Sequence, residues 1–198
     1  MSTTTTTVTL INAFEVPAEA DEPFIAGWER ARDFLATRDG FSRTALHRAL
    51  RRDAAFRFVN VARVDSPEAW QRAIADPAFP GGKMPFAAHP GLYEVVHEDG
   101  ELDGDGVVLI NAFEVPPQAD EPFIAGWNGA RELLAAQPGY LGTRLHRSVG
   151  AADFRFVNIA RWLSPQAFFT AVEHPGFRQA AAAMPFASHP ALYEVIRD

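Results

Sequence analysis

From residue 8 to residue 16 the chain alternates in the manner of a strand. Val8, Leu10, Asn12 and Phe14 fall on one face, and Thr9, Ile11, Ala13 and Glu15 on the other. Apolar residues sit on both faces, so the pattern predicts a strand covered on both sides and ended by Pro17. The period then changes. Phe24, Trp28, Ala31 and Leu35 recur at steps of 4, 3 and 4, the stripe of an amphipathic helix lying on a sheet. Asp21 is placed to cap it, Pro23 suits its first turn, and Gly40 suits its C-terminal end. Residues 41–50 and 56–64 return to strand character and pair most simply as a hairpin through Arg51-Arg52-Asp53-Ala54. Ser66-Pro67-Glu68 opens a second helix, and Asp76-Pro77 interrupts it ahead of a short third one. Residues 92–97 read as a fourth strand, and residues 1–7, MSTTTTT, as disordered.

The whole pattern then repeats. LINAFEVPAEADEPFIAGW, residues 10–28, returns as LINAFEVPPQADEPFIAGW, residues 109–127, and MPFAAHPGLYEV at 84–95 returns as MPFASHPALYEV at 184–195. About two-thirds of positions 10–48 are identical in the second copy, so one module is used twice. The copies slip by one residue at the hairpin turn, where Gly150-Ala151-Ala152 replaces the longer first turn. They also differ before the fourth strand: Pro80-Gly81-Gly82 should break a helix that Ala180-Ala181-Ala182-Ala183 should continue. The boundaries read as a first module at 8–97, an acidic glycine-rich linker at 98–106 and a second module at 107–197. Each module has the β-α-β-β-α-β order of a ferredoxin-like unit, an antiparallel sheet with helices on one face. The other sheet face also needs cover. The expected fold class is therefore α+β: two ferredoxin-like βαββαβ modules packed sheet-to-sheet, one chain making what a homodimer makes from two.

Composition narrows the chemistry. The chain has 198 residues, 47% of them hydrophobic, and a formal charge of -7 with basic residues interspersed, which argues against nucleic acid as a partner. The absence of cysteine excludes disulfides, thiolate nucleophiles and cysteine-held metals. No apolar run approaches membrane-spanning length and no secretory segment is visible, so no membrane partner and a cytoplasmic location are expected.

Polar residues on otherwise apolar strands mark the candidate site. Asn12 and Asn111 lie between leucine and phenylalanine at two-residue spacing, and Asn60 and Asn158 occupy the third strands. First and third strands are neighbours in this topology, so Asn12 and Asn60 could line one pocket. A buried amide is either a satisfied structural group or one that orients a ligand carbonyl or phenol. His89 and His189, in MPFAxHP just before the fourth strand, are candidates for acid–base work, with His47 and His146 behind them. Arg43 shares the face of His47, and Gly142 replaces it in the second copy. Trp28, Trp127, Trp70, Phe86 and Phe186 are either core aromatics or the walls of an aromatic pocket. Arg57 and Arg63, with Arg155 and Arg161, share the strand face opposite the asparagine; Arg57 either snorkels at an interface or pairs with a carboxylate such as Glu15 or Glu94, and the alternative is a clamp for an anionic ligand. No HExxH or clustered histidine motif is present, so the histidines make no strong case for a metal.

LINAFEV, FRFVNVARVDSPEAW and HPGLYEV, with their second copies LINAFEV, FRFVNIARWLSPQAF and HPALYEV, resemble the antibiotic biosynthesis monooxygenase family, of the dimeric α+β-barrel group. The resemblance covers both modules and makes the chain look like a fused dimer, an intramolecular pseudo-dimer that leaves further homodimerisation open. It implies a cofactor-independent oxygenase that takes a small phenolic or hydroquinone-like aromatic and O2, with Asn12 on a substrate oxygen, Asn60 beside it and His89 assisting proton movement. Competing readings on the same fold are a non-catalytic binding or structural protein, and a cyclase or isomerase. Haem-degrading members share the first-strand asparagine. Their haem-binding histidine falls near Lys83 and Ala183 here, and their ring-distorting tryptophan near Ala73 and Ala171.

Overall fold

The computed structural model describes residues 7–198, so the expected disorder of the N-terminal tail lies, except for Thr7, outside the described residues. The first module comprises β1 (Val8–Glu15), α1 (Asp21–Ala36), β2 (Phe41–Ala49), β3 (Phe58–Val64), α2 (Pro67–Ala75) and β4 (Ala87–Gly100). The second comprises β5 (Val107–Glu114), α3 (Asp120–Ala135), β6 (Tyr140–Ser148), β7 (Phe156–Trp162), α4 (Pro165–Val172), α5 (Pro175–Ala182) and β8 (Ala187–Arg197). Hydrogen-bonded neighbours run β1-β3-β2-β8-β5-β7-β6-β4 and close on β1. Two ferredoxin-like modules thus form one eight-stranded antiparallel barrel, the expected fold class.

Local chemistry sets the element ends. The hydroxyls of Ser66 and Ser164 accept from the Ala69 and Ala167 amides at 3.2 and 3.1 Å, and a proline follows each serine at the first helical position. Asp21 behaves differently from expectation. It is the first residue of α1 rather than its cap, and its carboxylate is drawn to Arg57. Gly40 and Gly139 lie beyond the helix ends, in the turn to the next strand, at φ +94° and +87°. A Cβ at Gly40 would approach the Ala69 Cβ to 2.8 Å, so both the backbone and the packing call for glycine. The copies diverge before their fourth strands: the glycines leave one 3-10 turn, Gly81–Lys83, where the alanines build α5.

The fourth strands are longer than the sequence suggests. β4 begins at Ala87 and runs to Gly100, taking in His89, Pro90 and the start of the acidic linker; β8 likewise begins at Ala187. A residue that precedes proline favours extended backbone, which lets His89-Pro90 sit in the ladder.

Two compact units divide the chain. One holds the chain up to Glu94 with Val149–Ala152 and Val195–Asp198; the other holds Val95–Ser148 and Asp153–Glu194. In the first unit Phe14, Phe24, Trp28, Leu46 and Phe58 pack under α1, with Ile196 from the end of β8 against them. Val8, Leu10, Ala62, Val64 and Ala69 pack under α2. The second unit repeats both clusters, around Phe123 and Trp127 and around Trp162 and Ala171. Among the described residues no helix is long and apolar enough to cross a membrane.

Candidate functional site

Strand register decides which candidate residues share a side of the sheet. Asn12 lies opposite Asn60 on one neighbour and opposite Pro90 on the other. Opposed residues point the same way. Both asparagines therefore face α1 and α2, in the row that carries Leu10, Phe14, Phe58 and Ala62. Asn60 is 8% exposed, and its Oδ1 accepts from the Trp28 indole at 3.0 Å and the Thr44 hydroxyl at 2.8 Å. Asn12 is half-buried, yet its Oδ1 is sealed from solvent and has no hydrogen-bond partner. Pro90, across the ladder, has no N–H to give. Ala88 and Pro90, in the same row of β4, are exposed, so the helices leave the sheet uncovered beside Asn12.

The second module repeats this arrangement. Asn111 lies opposite Asn158 and Pro190, and its Oδ1 is again buried without a partner. Asn158 Oδ1 accepts from Thr143 at 2.7 Å. Thr44 and Thr143 were not among the sequence candidates. Their signal was a hydroxyl kept in both copies, two residues before a leucine that is fully buried, Leu46 or Leu145. The tryptophans differ. The Trp28 indole reaches Asn60, with the Arg32 guanidinium 5.4 Å from its ring centre, whereas Trp127 packs edge-on to His97 at 5.2 Å.

The histidines do not join the asparagines. His89 is opposed to Ala13, one residue out of step with Pro90, so it points to the other side of the sheet. There its Nε2 meets Glu15 at 2.9 Å and its ring meets Phe56; His189 meets Glu114 at 2.8 Å and Phe154. The expected convergence of His89 with Asn12 and Asn60 is therefore corrected. His47 and His146 also lie on that other side, opposite Val59 and Val157. Each donates through Nδ1 to the facing carbonyl at 3.2 Å. Burial pushes each pKa down to about 4, so both rings are neutral near pH 7 and serve the core. Arg43 is exposed on the His47 side of β2, away from the asparagines.

The remaining aromatics pack. Phe86 and Phe186 lie 5.7 Å from Phe24 and Phe123, at the edge of the α1 and α3 clusters. Trp70, on α2, sits against Phe41 and Phe79. Arg57 bonds Asp21 through two N–H groups at 2.9 and 2.5 Å and also the Ala49 carbonyl. A carboxylate on α1, that of Asp21, thus receives two of the Arg57 N–H groups, where the sequence suggested Glu15 or Glu94.

Haem finds poor chemistry here. Four imidazoles, of His47, His89, His146 and His189, point away from the asparagine side. His97 is engaged by Asp99 and Trp127, and His174 caps α5. Where a ring-distorting tryptophan would stand, Ala73 and Ala171 are buried. Among the described residues no group of three or more His, Asp or Glu side chains could hold a metal ion.

The sequence model of the antibiotic biosynthesis monooxygenase family matches residues 106–183, within the copy that the first module repeats. No curated protein matches the chain. Solved structures do. An anthrone oxidase-like protein is similar at TM-score 0.80 with 18% identity, over 96% of this chain and 92% of that one. A monooxygenase-like protein from Listeria innocua gives TM-score 0.54 at 12% identity, over 95% and 93%. A heme-degrading enzyme from Listeria monocytogenes gives 0.53 at 17%, over 96% and 99%. At these identities the structural matches speak for the fold. The family model matches the second module and the internal repeat carries that likeness to the first, which places the chain in the antibiotic biosynthesis monooxygenase superfamily.

Proposed function

We propose that the chain is an enzyme, a cofactor-independent monooxygenase that oxidises a phenolic or hydroquinone-like aromatic with O2. The observation that carries this reading is the unpartnered amide oxygen of Asn12, repeated at Asn111. An unsatisfied buried acceptor costs about 1–3 kcal/mol. Two copies of one module keep that cost at the same position, beside sheet that the helices leave uncovered. A ligand O–H would satisfy it. A phenol suits the place: its hydroxyl donates to Asn12 Oδ1, and its ring packs beside Leu10 and Phe14 of β1 and Trp28 of α1.

The chemistry then belongs largely to the substrate. The hydrogen bond from the phenolic O–H to Asn12 Oδ1 holds and orients the neutral phenol; its proton is then given up to bulk solvent, and the electron-rich phenolate passes one electron to O2. The two radicals combine at the ring carbon that becomes the carbonyl. The resulting hydroperoxide loses water. For an anthrone, the methylene carbon gives up four electrons and becomes C=O. One oxygen atom stays in the product, and the other leaves as water with the two methylene hydrogens. The protein contributes orientation and exclusion of water, and the Trp28–Asn60–Thr44 bonds hold the neighbouring amide still. His89, on the other side of the sheet, has no part in this scheme.

The test is aerobic incubation of purified protein with anthrone and with a substituted hydroquinone, following oxygen uptake and quinone formation. Uptake with quinone product, lost in N12A or N111A, supports the reading. Tight binding without turnover would make the chain a binding module, and product formed without oxygen would make it a cyclase or isomerase.

A further inference from the structure

The two modules differ beside their tryptophans, and the difference identifies a second binding group. In the second unit the Asp99 carboxylate lies among three donors: Arg131 at 2.6 Å, the Tyr140 hydroxyl at 2.5 Å and His97 Nε2 at 3.2 Å. His97 also packs on Trp127. The repeat supplies the counterparts. Arg32 corresponds to Arg131, Trp28 to Trp127, Phe41 to Tyr140 and Arg197 to His97. Two of these positions in the first unit are thus arginines. Arg32 stands 5.4 Å from the Trp28 ring centre, and its only carboxylate among the described residues is its chain neighbour Asp33, whose side chain is 68% exposed. Arg197 reaches Glu29, one helical turn before Arg32 on α1.

We propose that the Arg32–Arg197 side of the Trp28 indole is a subsite for a carboxylate carried by the aromatic ligand, and that in the second module the chain's own Asp99 fills the equivalent place. The second unit serves as the pattern: it shows how a carboxylate sits against this arginine, bonded by a histidine that packs on this tryptophan. The first unit keeps the cations and offers only an exposed, easily displaced partner for Arg32. Two N–H groups of one guanidinium suit a planar carboxylate, and the indole beside it suits an aromatic ring. The first module is then the one that accepts an acidic aromatic, and the second is closed to it. This inference rests on the part of the proposed function that puts an aromatic beside Asn12 and Trp28, and it does not depend on turnover.

The experiment is calorimetric titration of the full chain with 3-hydroxy-2-naphthoate and with its uncharged twin, 3-hydroxy-2-naphthamide, under nitrogen. The wild type is expected to bind one acid per chain, about tenfold more tightly than the amide. R32Q should bind both equally, R32K should recover part of the preference, and R197Q should weaken the acid alone. D99A, which removes the carboxylate that fills the place and frees Arg131, should raise the stoichiometry to two acids per chain. Equal affinity of acid and amide in the wild type, an undiminished preference in R32Q, or one site in folded D99A would each overturn the proposal. Oxygen uptake with no acid preference would sink this inference and leave the oxygenase standing. An acid preference with no oxygen uptake would do the reverse.

Discussion

Asn12 and Asn60 are the same residue type, opposed across one ladder, and differ in whether a donor reaches the amide oxygen. That difference separates function from stability. N12A removes an acceptor nothing in the fold uses, so its stability cost should stay within about 1 kcal/mol, while kcat/KM on an anthrone falls about 100-fold. N60A strands the Trp28 indole and the Thr44 hydroxyl and should lower stability by about 1–3 kcal/mol. Urea unfolding and steady-state kinetics on both variants check the split; a larger unfolding effect for N12A would show that Asn12 is structural. The buried histidines give a pH signature. The folded-state pKa of His47 and His146, about 4, lies below the unfolded value of about 6.5, so the unfolded chain takes up protons first. Their contribution is complete above pH ~6.5 and is lost as pH falls towards 4, on the order of 3 kcal/mol for each ring. H47Q with H146Q should flatten the stability profile in that window, measured by urea midpoints from pH 7 to 4. The asparagines were legible because a polar residue between apolar neighbours at two-residue spacing announces itself. Their separate fates were not, because the donor to Asn60 comes from a helix 32 residues away. His89 was legible as chemistry but not as geometry, since one step along a strand turns a side chain to the opposite face.

Two elements, α1 and the start of β3, are tied by the Arg57–Asp21 pair, in which the arginine side chain is 8% and the carboxylate 19% exposed. The Arg57 hydrogen bond holds the Asp21 pKa below the usual carboxylate value against the opposing effect of burial. R57A would leave Asp21 and the Ala49 carbonyl without this donor and should cost about 2–4 kcal/mol. Arg51–Asp53, with both side chains at least 70% exposed, serves as the control, and R51A should leave the denaturation midpoint unchanged. Chemical denaturation of the two variants decides it, and equal effects would mean that the buried pair does not anchor α1. Helix starts were plain in the sequence because Ser-Pro states its own hydrogen bond. The extent of β4 was hidden. Its tail reads as an acidic, glycine-rich linker, whereas the bond from Glu101 N–H to the Leu141 carbonyl at 2.8 Å and the close packing of Gly142 on the Asp99 carbonyl lay the backbone along β6, its neighbour in the strand order. A Cβ at Gly142 would come within 2.6 Å of that carbonyl, so the close approach explains a glycine where the first copy carries Arg43.

The sequence repeat and the compact units do not share boundaries. Repeat arithmetic divides the chain near the linker, but the first compact unit includes Val195–Asp198, the last residues of the second copy. Ile196 packs against the cluster of Phe14, Phe24 and Trp28, and Arg197 bonds Glu29 of α1 at 2.8 Å. A repeat shows which residues correspond; the fold decides which ones a core takes in. The consequence is that a lesion at one end of the chain should be felt by the module at the other. Deleting residues 195–198 should destabilise the first unit by about 2–4 kcal/mol, from the lost burial of one isoleucine and the lost strand end. I196A alone should account for about 1–3 kcal/mol of this. Hydrogen exchange can localise the effect: faster exchange in α1 and β1, with α3 and β5 unchanged, is the expected outcome. Protection lost equally in both modules would mean that the segment stabilises the chain as a whole. Unchanged protection in α1 would mean that Ile196 lies against the first core without supporting it.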